Sequence, residues 1–239
     1  MSQFNEYAST YETAVADALG VFAKCHGWAL QRKADVIGEY LRQGPMSSGA
    51  VPRVLDIGCG IVLVHHRLRV PCEIHGIDVS ENSIAVAREA QARKDVAEKE
   101  PRRAASHYLT YDGRTIPFAD DSFDLVFASC MFHHVPIPEH PALAREMVRV
   151  TRRRGTTLIF EHNPWNPATQ FIFRNTALDA DARMINHVRA ENLLRNGSGR
   201  TARSRSILLT PFQGSVFRVL EKTFARLPVG AQYYSWIEK

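Results

Sequence analysis

Val54-Leu55-Asp56-Ile57-Gly58-Cys59-Gly60 is a short apolar run that ends in an acid and breaks into a glycine turn. It reads as a buried strand. Glycine at 58 and 60 lets the backbone turn sharply and lets a ligand approach with no Cβ in the way. A second acid, Asp78, closes the next apolar run, Ile74-His75-Gly76-Ile77-Asp78. It stands about 20 residues past Gly58, the spacing at which a carboxylate takes a ribose diol in two hydrogen bonds. An apolar strand running into D-x-G-x-G is how an open α/β sheet holds a nucleotide-like ligand.

Outward from this stretch, apolar runs alternate with helical patterns. Strands are predicted near 53–57, 73–78, 105–110, 123–129 and 156–161, with helices near 62–69, 81–98 and 139–151. Short strands separated by helices imply βαβ crossovers and a parallel sheet. Residues 8–24 and 28–43 read as helices ahead of the sheet, set off by Gly44-Pro45-Met46-Ser47-Ser48-Gly49. Beyond 167, helical patterns near 167–177, 187–196 and 213–226 accompany strand candidates near 203–210 and 230–238. Those two strands are spaced to form an antiparallel edge pair, with Val229–Tyr234 as the final edge strand. The expectation is one domain over 1–239, with a helical cap over 1–44 and a core over 50–239.

Bulk properties narrow the chemistry. At 239 residues, with 45% hydrophobic and 23% charged content, the chain suits one large soluble α/β domain. The net charge of +5 tolerates an acidic substrate or nucleic acid without arguing for either. The four cysteines, Cys25, Cys59, Cys72 and Cys130, form no CxxC pair, which argues against structural zinc and a disulfide scaffold. The polar start and the lack of a long apolar run argue against a membrane span, and the expected location is the cytoplasm.

Two cofactor classes use the glycine turn. Dinucleotide enzymes want G-x-G-x-x-G, but position 63 is Leu. The D-x-G-C-G reading from Asp56 resembles class I S-adenosylmethionine (SAM) methyltransferases, in particular the ubiquinone- and sterol-type small-molecule branch. The resemblance covers roughly residues 1–160 and implies a Rossmann-like α/β fold: a mostly parallel seven-stranded sheet with helices on both faces. It implies that Gly58, Cys59 and Gly60 cradle the methionine end of SAM, that Asp56 supports the loop and the amino group, and that Asp78 and neighbouring Val79 meet the ribose. Tyr111-Asp112-Gly113 and the run into Phe123-Asp124-Leu125-Val126 resemble the family segment in which an acid, here Asp112, accepts from the adenine amino group beside Gly113. Asp-Gly is also a favoured plain turn.

The fourth strand ends in Ala128-Ser129-Cys130-Met131-Phe132-His133-His134, so Ser129 and Cys130 are expected under the methionine part of the cofactor. The adjacent histidines invite a metal or a base, but neighbours on a turn point in different directions, and no metal is implied. His133 is a candidate base. The fifth strand ends in Glu161-His162-Asn163-Pro164, facing the acceptor by position, which makes His162 the second candidate base. The same stretch reads equally as a rigid loop with Asn166 as N-cap and Pro167 at the first helical position. Asn163-Pro164-Trp165 superficially matches the N-P-P-aromatic motif of amino methyltransferases, but it follows the wrong strand and lacks the second proline. Tyr7 and Tyr11 share a helix face, and the resemblance puts Tyr11 against the cofactor; core packing explains the pair as well.

The family loop ordinarily continues with Thr or Ser and a third glycine, where this chain has Ile61 and Val62. The reading is methyl transfer from SAM to a small-molecule acceptor. Two alternatives stay open: a non-catalytic binding or regulatory protein, supported by Ile61 and Val62, and an RNA methyltransferase, supported by the arginines at 152–154 and 195–205. The acceptor, the accepting atom and the oligomeric state are left open by the residues.

Overall fold

A computed structural model describes residues 23–44, 49–97, 105–209 and 215–239. Tyr7, Tyr11 and residues 8–22 of the first predicted helix lie outside them. The elements run α1 (Ala23–Gln43), β1 (Arg53–Ile57), β2 (Glu73–Asp78), α2 (Glu81–Ala97), β3 (Ala105–Thr110), β4 (Phe123–Ser129), α3 (His140–Val150) and β5 (Thr151–His162). They continue with α4 (Pro167–Asn175), α5 (His187–Ser198), β6 (Arg203–Ile207), α6 (Ser215–Phe224) and β7 (Gln232–Glu238).

The seven strands form one sheet in the order β3-β2-β1-β4-β5-β7-β6. β1 pairs parallel with β2 and with β4, β2 with β3, and β4 with β5. β7 lies antiparallel between β5 and β6. The segment expected as the final edge strand is therefore internal. β6, with its exposed Arg203 and Arg205, forms the edge, where charged side chains discourage further strand pairing.

Alternation along the strands divides the core. Val126, Ala128, Tyr233 and Ile237 face α3 and α5 through Leu143, Ala144, Met147, Leu193 and Leu194. Leu125, Phe127, Tyr234 and Trp236 face the opposite way, toward Leu30, Ala34, Ile37 and Leu41 of α1. A helix is thus laid on each face, and α1 is part of the fold's second layer.

Two local departures have physical causes. The helix predicted over 62–69 is reduced to a single 3-10 turn, His65–Arg67. Val62 adopts a left-handed φ of 59°, which no helix contains. Leu68 is already extended, and Pro71 follows. β5 starts at Thr151, immediately after α3, and not near 156. Its register against β4 shifts between Phe123 and Leu125, where Arg154 is left-handed at φ 63°. The Arg-Arg-Arg-Gly run between the predicted helix and strand is a bulged strand.

Candidate functional site

The strand order reverses between β1 and β4, and the crevice outside their carboxyl ends is where open α/β sheets bind ligands. A cleft of about 590 Å³ opens there, within the span of small-molecule sites. Of the residues singled out from sequence, Gly58, Cys59, Gly60, Asp78, Val79, Asp112, Gly113, Ser129, Cys130, His133 and His162 all line it. Gly58 and Gly60 have φ of 69° and 51°, and a Cβ added at Gly60 would meet nothing within 4 Å. Bare backbone at Gly60 therefore faces open space, as a cradle for an adenosyl ligand requires, whereas Gly58 is closed off by the Met131 side chain, which a Cβ there would strike. Ile61 is on the cleft wall. Val62 instead turns into a buried cluster with Cys59, Ile84, Ala87 and Tyr108, so only one of the two unusual residues narrows the cleft.

The three acids are placed differently. Asp78 Oδ2 accepts from Gly60 N at 2.8 Å and Oδ1 from Ser80 N at 2.8 Å, so the end of β2 and the glycine turn move as one piece. Burial pushes its carboxyl up, while these backbone donors pull it back. Asp112 is exposed, and its Oδ1 accepts from Arg114 N and Thr115 N at 2.8 Å each. Donation from Thr115 N and then Arg114 N holds that carboxyl below its usual range. Asp56 lies beneath the cleft, not on its wall. Its Oδ2 is 2.8 Å from Nε2 of the buried His65, and burial together with the charge of Asp78 pushes its carboxyl well up. Its contribution is to brace the segment after the glycine turn, which explains why that segment curls inward in place of a helix.

A polar cluster forms the other end of the cleft. Glu161, fully buried on β5, sits 2.7 Å from Nδ1 of buried His133. Burial opposes both charges, but their mutual attraction outweighs it: the imidazole rises to about 10 and the carboxyl falls to about 2. The expectation that the adjacent histidines point apart does not hold. Their ring centroids are 4.1 Å apart, and His133 Nε2 and His134 Nε2 each lie 3.5 Å from Asp179 Oδ1. The cause is the chain after α4, which folds back over the Phe132–His134 turn and is fastened by Arg183 N donating to His133 O at 2.8 Å.

Cys130 carries a left-handed φ of 51°. Its Sγ is 3.0 Å from Lys33 Nζ and 3.6 Å from Gln232 Nε2. Burial would raise this thiol, but Lys33 and His162 overcome it and bring it down to about 6. Alkylation of Cys130 by iodoacetamide, mapped by mass spectrometry, should therefore rise through pH 6, because the thiolate is the nucleophile. Lys33→Met should move that midpoint upward. A profile that is unchanged in Lys33→Met would contradict the assignment.

Asn166 caps α4 through Thr169 N at 3.0 Å with Pro167 following, so the capping reading holds alongside the placement of His162 in the cleft. Tyr233 and Tyr234 belong to the core, Tyr233 donating to Ile185 O at 2.7 Å. Ala231 and Gln232 line the cleft beside them. Lys33 and Asp179 were not legible as site residues. Lys33 did leave a trace: it interrupts the apolar stripe Leu30, Ala34, Ile37 and Leu41, where a charge has to have a partner.

Residues 55–159 match a family model described as a methyltransferase domain. The chain is 33% identical over 114 residues to a phosphatidylethanolamine N-methyltransferase of Cereibacter sphaeroides, covering 46% of this chain and 50% of that protein. It is 33% identical over 148 residues to a malonyl-[acyl-carrier protein] O-methyltransferase of Erwinia pyrifoliae, covering 61% of this chain and 50% of that one. The matched part thus spans about half the length of these relatives. A SAM-dependent methyltransferase structure from Archaeoglobus fulgidus superposes with a TM-score of 0.56 at 16% identity, over 86% of this chain and 94% of that one. That likeness speaks to the fold. Residues 55–159 are thus similar to a methyltransferase domain, and that similarity covers less than half of the chain.

Proposed function

We propose that this chain binds SAM in the cleft and methylates a small-molecule acceptor, within a single catalytic domain. The observation that carries the reading is the union of Asp78 with Gly60 at the switch point of the sheet. In this reading Asp78 takes the ribose diol, Asp112 and Gly113 the adenine, and Gly58–Gly60 with Ser129 and Cys130 the methionine end, a reading supported by their sharing one cleft. When bound, SAM supplies a methyl group already activated by the sulfonium charge.

The protein's part is then chiefly proximity and orientation. The Cys130 side chain adds a site for negative charge at the sulfonium end. His162, in the cleft with Nδ1 3.5 Å from Gln232 Nε2, is positioned to take a proton from an acceptor hydroxyl. Among the described residues no helix is long and apolar enough to cross a membrane. The two relatives act on an amine headgroup and on an acyl-carrier-bound acid by name, so their acceptors do not carry over.

Tritium-labelled SAM offered with quinols, hydroxylated lipids, sugars and polyhydroxylated secondary metabolites tests the reading. Label should pass to one class, and His162→Ala should slow it about a hundred-fold for a hydroxyl acceptor. Ile61 on the cleft wall favours a second reading, a SAM-fold binding protein without turnover. Tight binding of the product S-adenosylhomocysteine with no transfer to any class would decide for that one.

A further inference from the structure

His133, His134 and Asp179 each present a ligand-type atom to the others within 4.8 Å. The two imidazole Nε2 atoms are each 3.5 Å from the same carboxylate oxygen. That separation is longer than the roughly 2.7–2.9 Å of a charge-assisted hydrogen bond. It matches two donors bound at about 2.1 Å to one ion with a tetrahedral angle between them, which places them about 3.4 Å apart. We infer that His133, His134 and Asp179 form a binding site for a first-row divalent transition metal at the acceptor end of the cleft.

Three further features support it. Glu161 Oε2 lies 2.7 Å from His133 Nδ1, the carboxylate–histidine pairing that fixes which nitrogen faces a metal; the ion takes the place of the Nε2 proton, which is released to solvent on binding. The bond from Arg183 N to His133 O joins the two chain segments that supply the ligands, so the site is built into the fold. All three ligands line the cleft, which leaves coordination positions open toward it. Two imidazoles and a carboxylate suit zinc, cobalt or ferrous iron over magnesium or calcium, which prefer all-oxygen sets.

The other such trio among the described residues, Glu73, His75 and His107, is a poorer candidate. The Arg53 guanidinium stands 3.4 Å from Glu73 Oε1 and 3.5 Å from His75 Nε2, where it already supplies positive charge. Metal binding here needs only the arrangement of these three side chains. Its use, holding an acceptor oxygen in line with the transferable methyl, rests on the proposed methyl transfer.

The test is dialysis of the full chain, stripped with chelator, against Co²⁺ alone, read by bound metal and by its visible ligand-field absorption. The expected result is one Co²⁺ per chain. Asp179→Ala and His134→Ala should lose the absorption, Glu161→Gln should weaken binding about 10–100-fold, and His107→Ala should bind as the parent does. Unfolding of the metal-free variants checks that each folds. Asp179→Asn, which keeps the shape of the side chain, replaces any that does not. Absence of stoichiometric binding, or binding that survives Asp179→Ala and vanishes in His107→Ala, overturns the site. Co²⁺ binding in a chain that ignores S-adenosylhomocysteine would leave the metal site standing and remove the methyl-transfer reading.

Discussion

Glu161→Ala is expected to destabilise the protein by about 3–5 kcal/mol, because removing one partner leaves the other charge buried and uncompensated. The carboxylate is fully buried and its oxygens serve three donors. Oε2 takes His133 Nδ1 at 2.7 Å and His162 N at 3.3 Å, and Oε1 takes His133 N at 3.3 Å. It thus ties the end of β5 to the turn after β4. Urea unfolding should show a lowered midpoint with little change in slope. Glu161→Gln, which keeps volume and an acceptor oxygen, should cost less. The double change Glu161→Gln with His133→Leu should recover part of the loss of Glu161→Ala, since the buried imidazole goes with its partner. A cost below about 1 kcal/mol for Glu161→Ala would mean the pair is solvated and that the cluster is not the rigid unit described.

The second large effect is expected at Asp78. With each oxygen already holding one backbone N–H, the carboxylate retains lone pairs for two ribose hydroxyls. Two hydrogen bonds to a charged acceptor contribute about 3–6 kcal/mol, so Asp78→Ala should weaken S-adenosylhomocysteine binding a hundred-fold or more. Calorimetric titration checks this. Asp78→Asn should lie between, since it retains the acceptor oxygen for Gly60 N but loses the charge. An affinity within a few-fold of the parent in Asp78→Ala would place the ribose elsewhere.

Most of the fold was legible because its period was legible. Val54–Ile57, Ile74–Asp78 and Phe123–Ser129 are apolar runs too short for helices, and each was found as a strand. The failures fall where tertiary partners override local pattern. Residues 62–69 carry a helix-compatible string, but burial of His65 against Asp56 bends them into one turn. Residues 152–155 carry no apolar strand pattern, yet Arg152 Nη1 meets Asp124 Oδ1 at 2.8 Å and the strand continues through them with a bulge. The order of β6 and β7 depends on which strand β5 meets first, and no local signal encodes that.

The glycine turn and the acids were readable for a similar reason: their chemistry needs particular residue types at short spacings. The histidine end of the cleft was not. Asp179 reaches the histidines from 45 positions away through a backbone bond at Arg183, and Lys33 reaches Cys130 across nearly a hundred. Proximity of that kind exists only once the sheet is assembled.

The most direct test of the central claim is thermal unfolding of the wild-type chain with and without S-adenosylhomocysteine. At about 100 times its Kd the ligand should stabilise the native state by about 2.7 kcal/mol and raise the unfolding temperature visibly. That shift is expected in the parent and is expected to be lost in Asp78→Ala. A folded parent that shows no shift at any ligand concentration would contradict it, because the cleft walled by Ile61 would then not admit the adenosyl ligand.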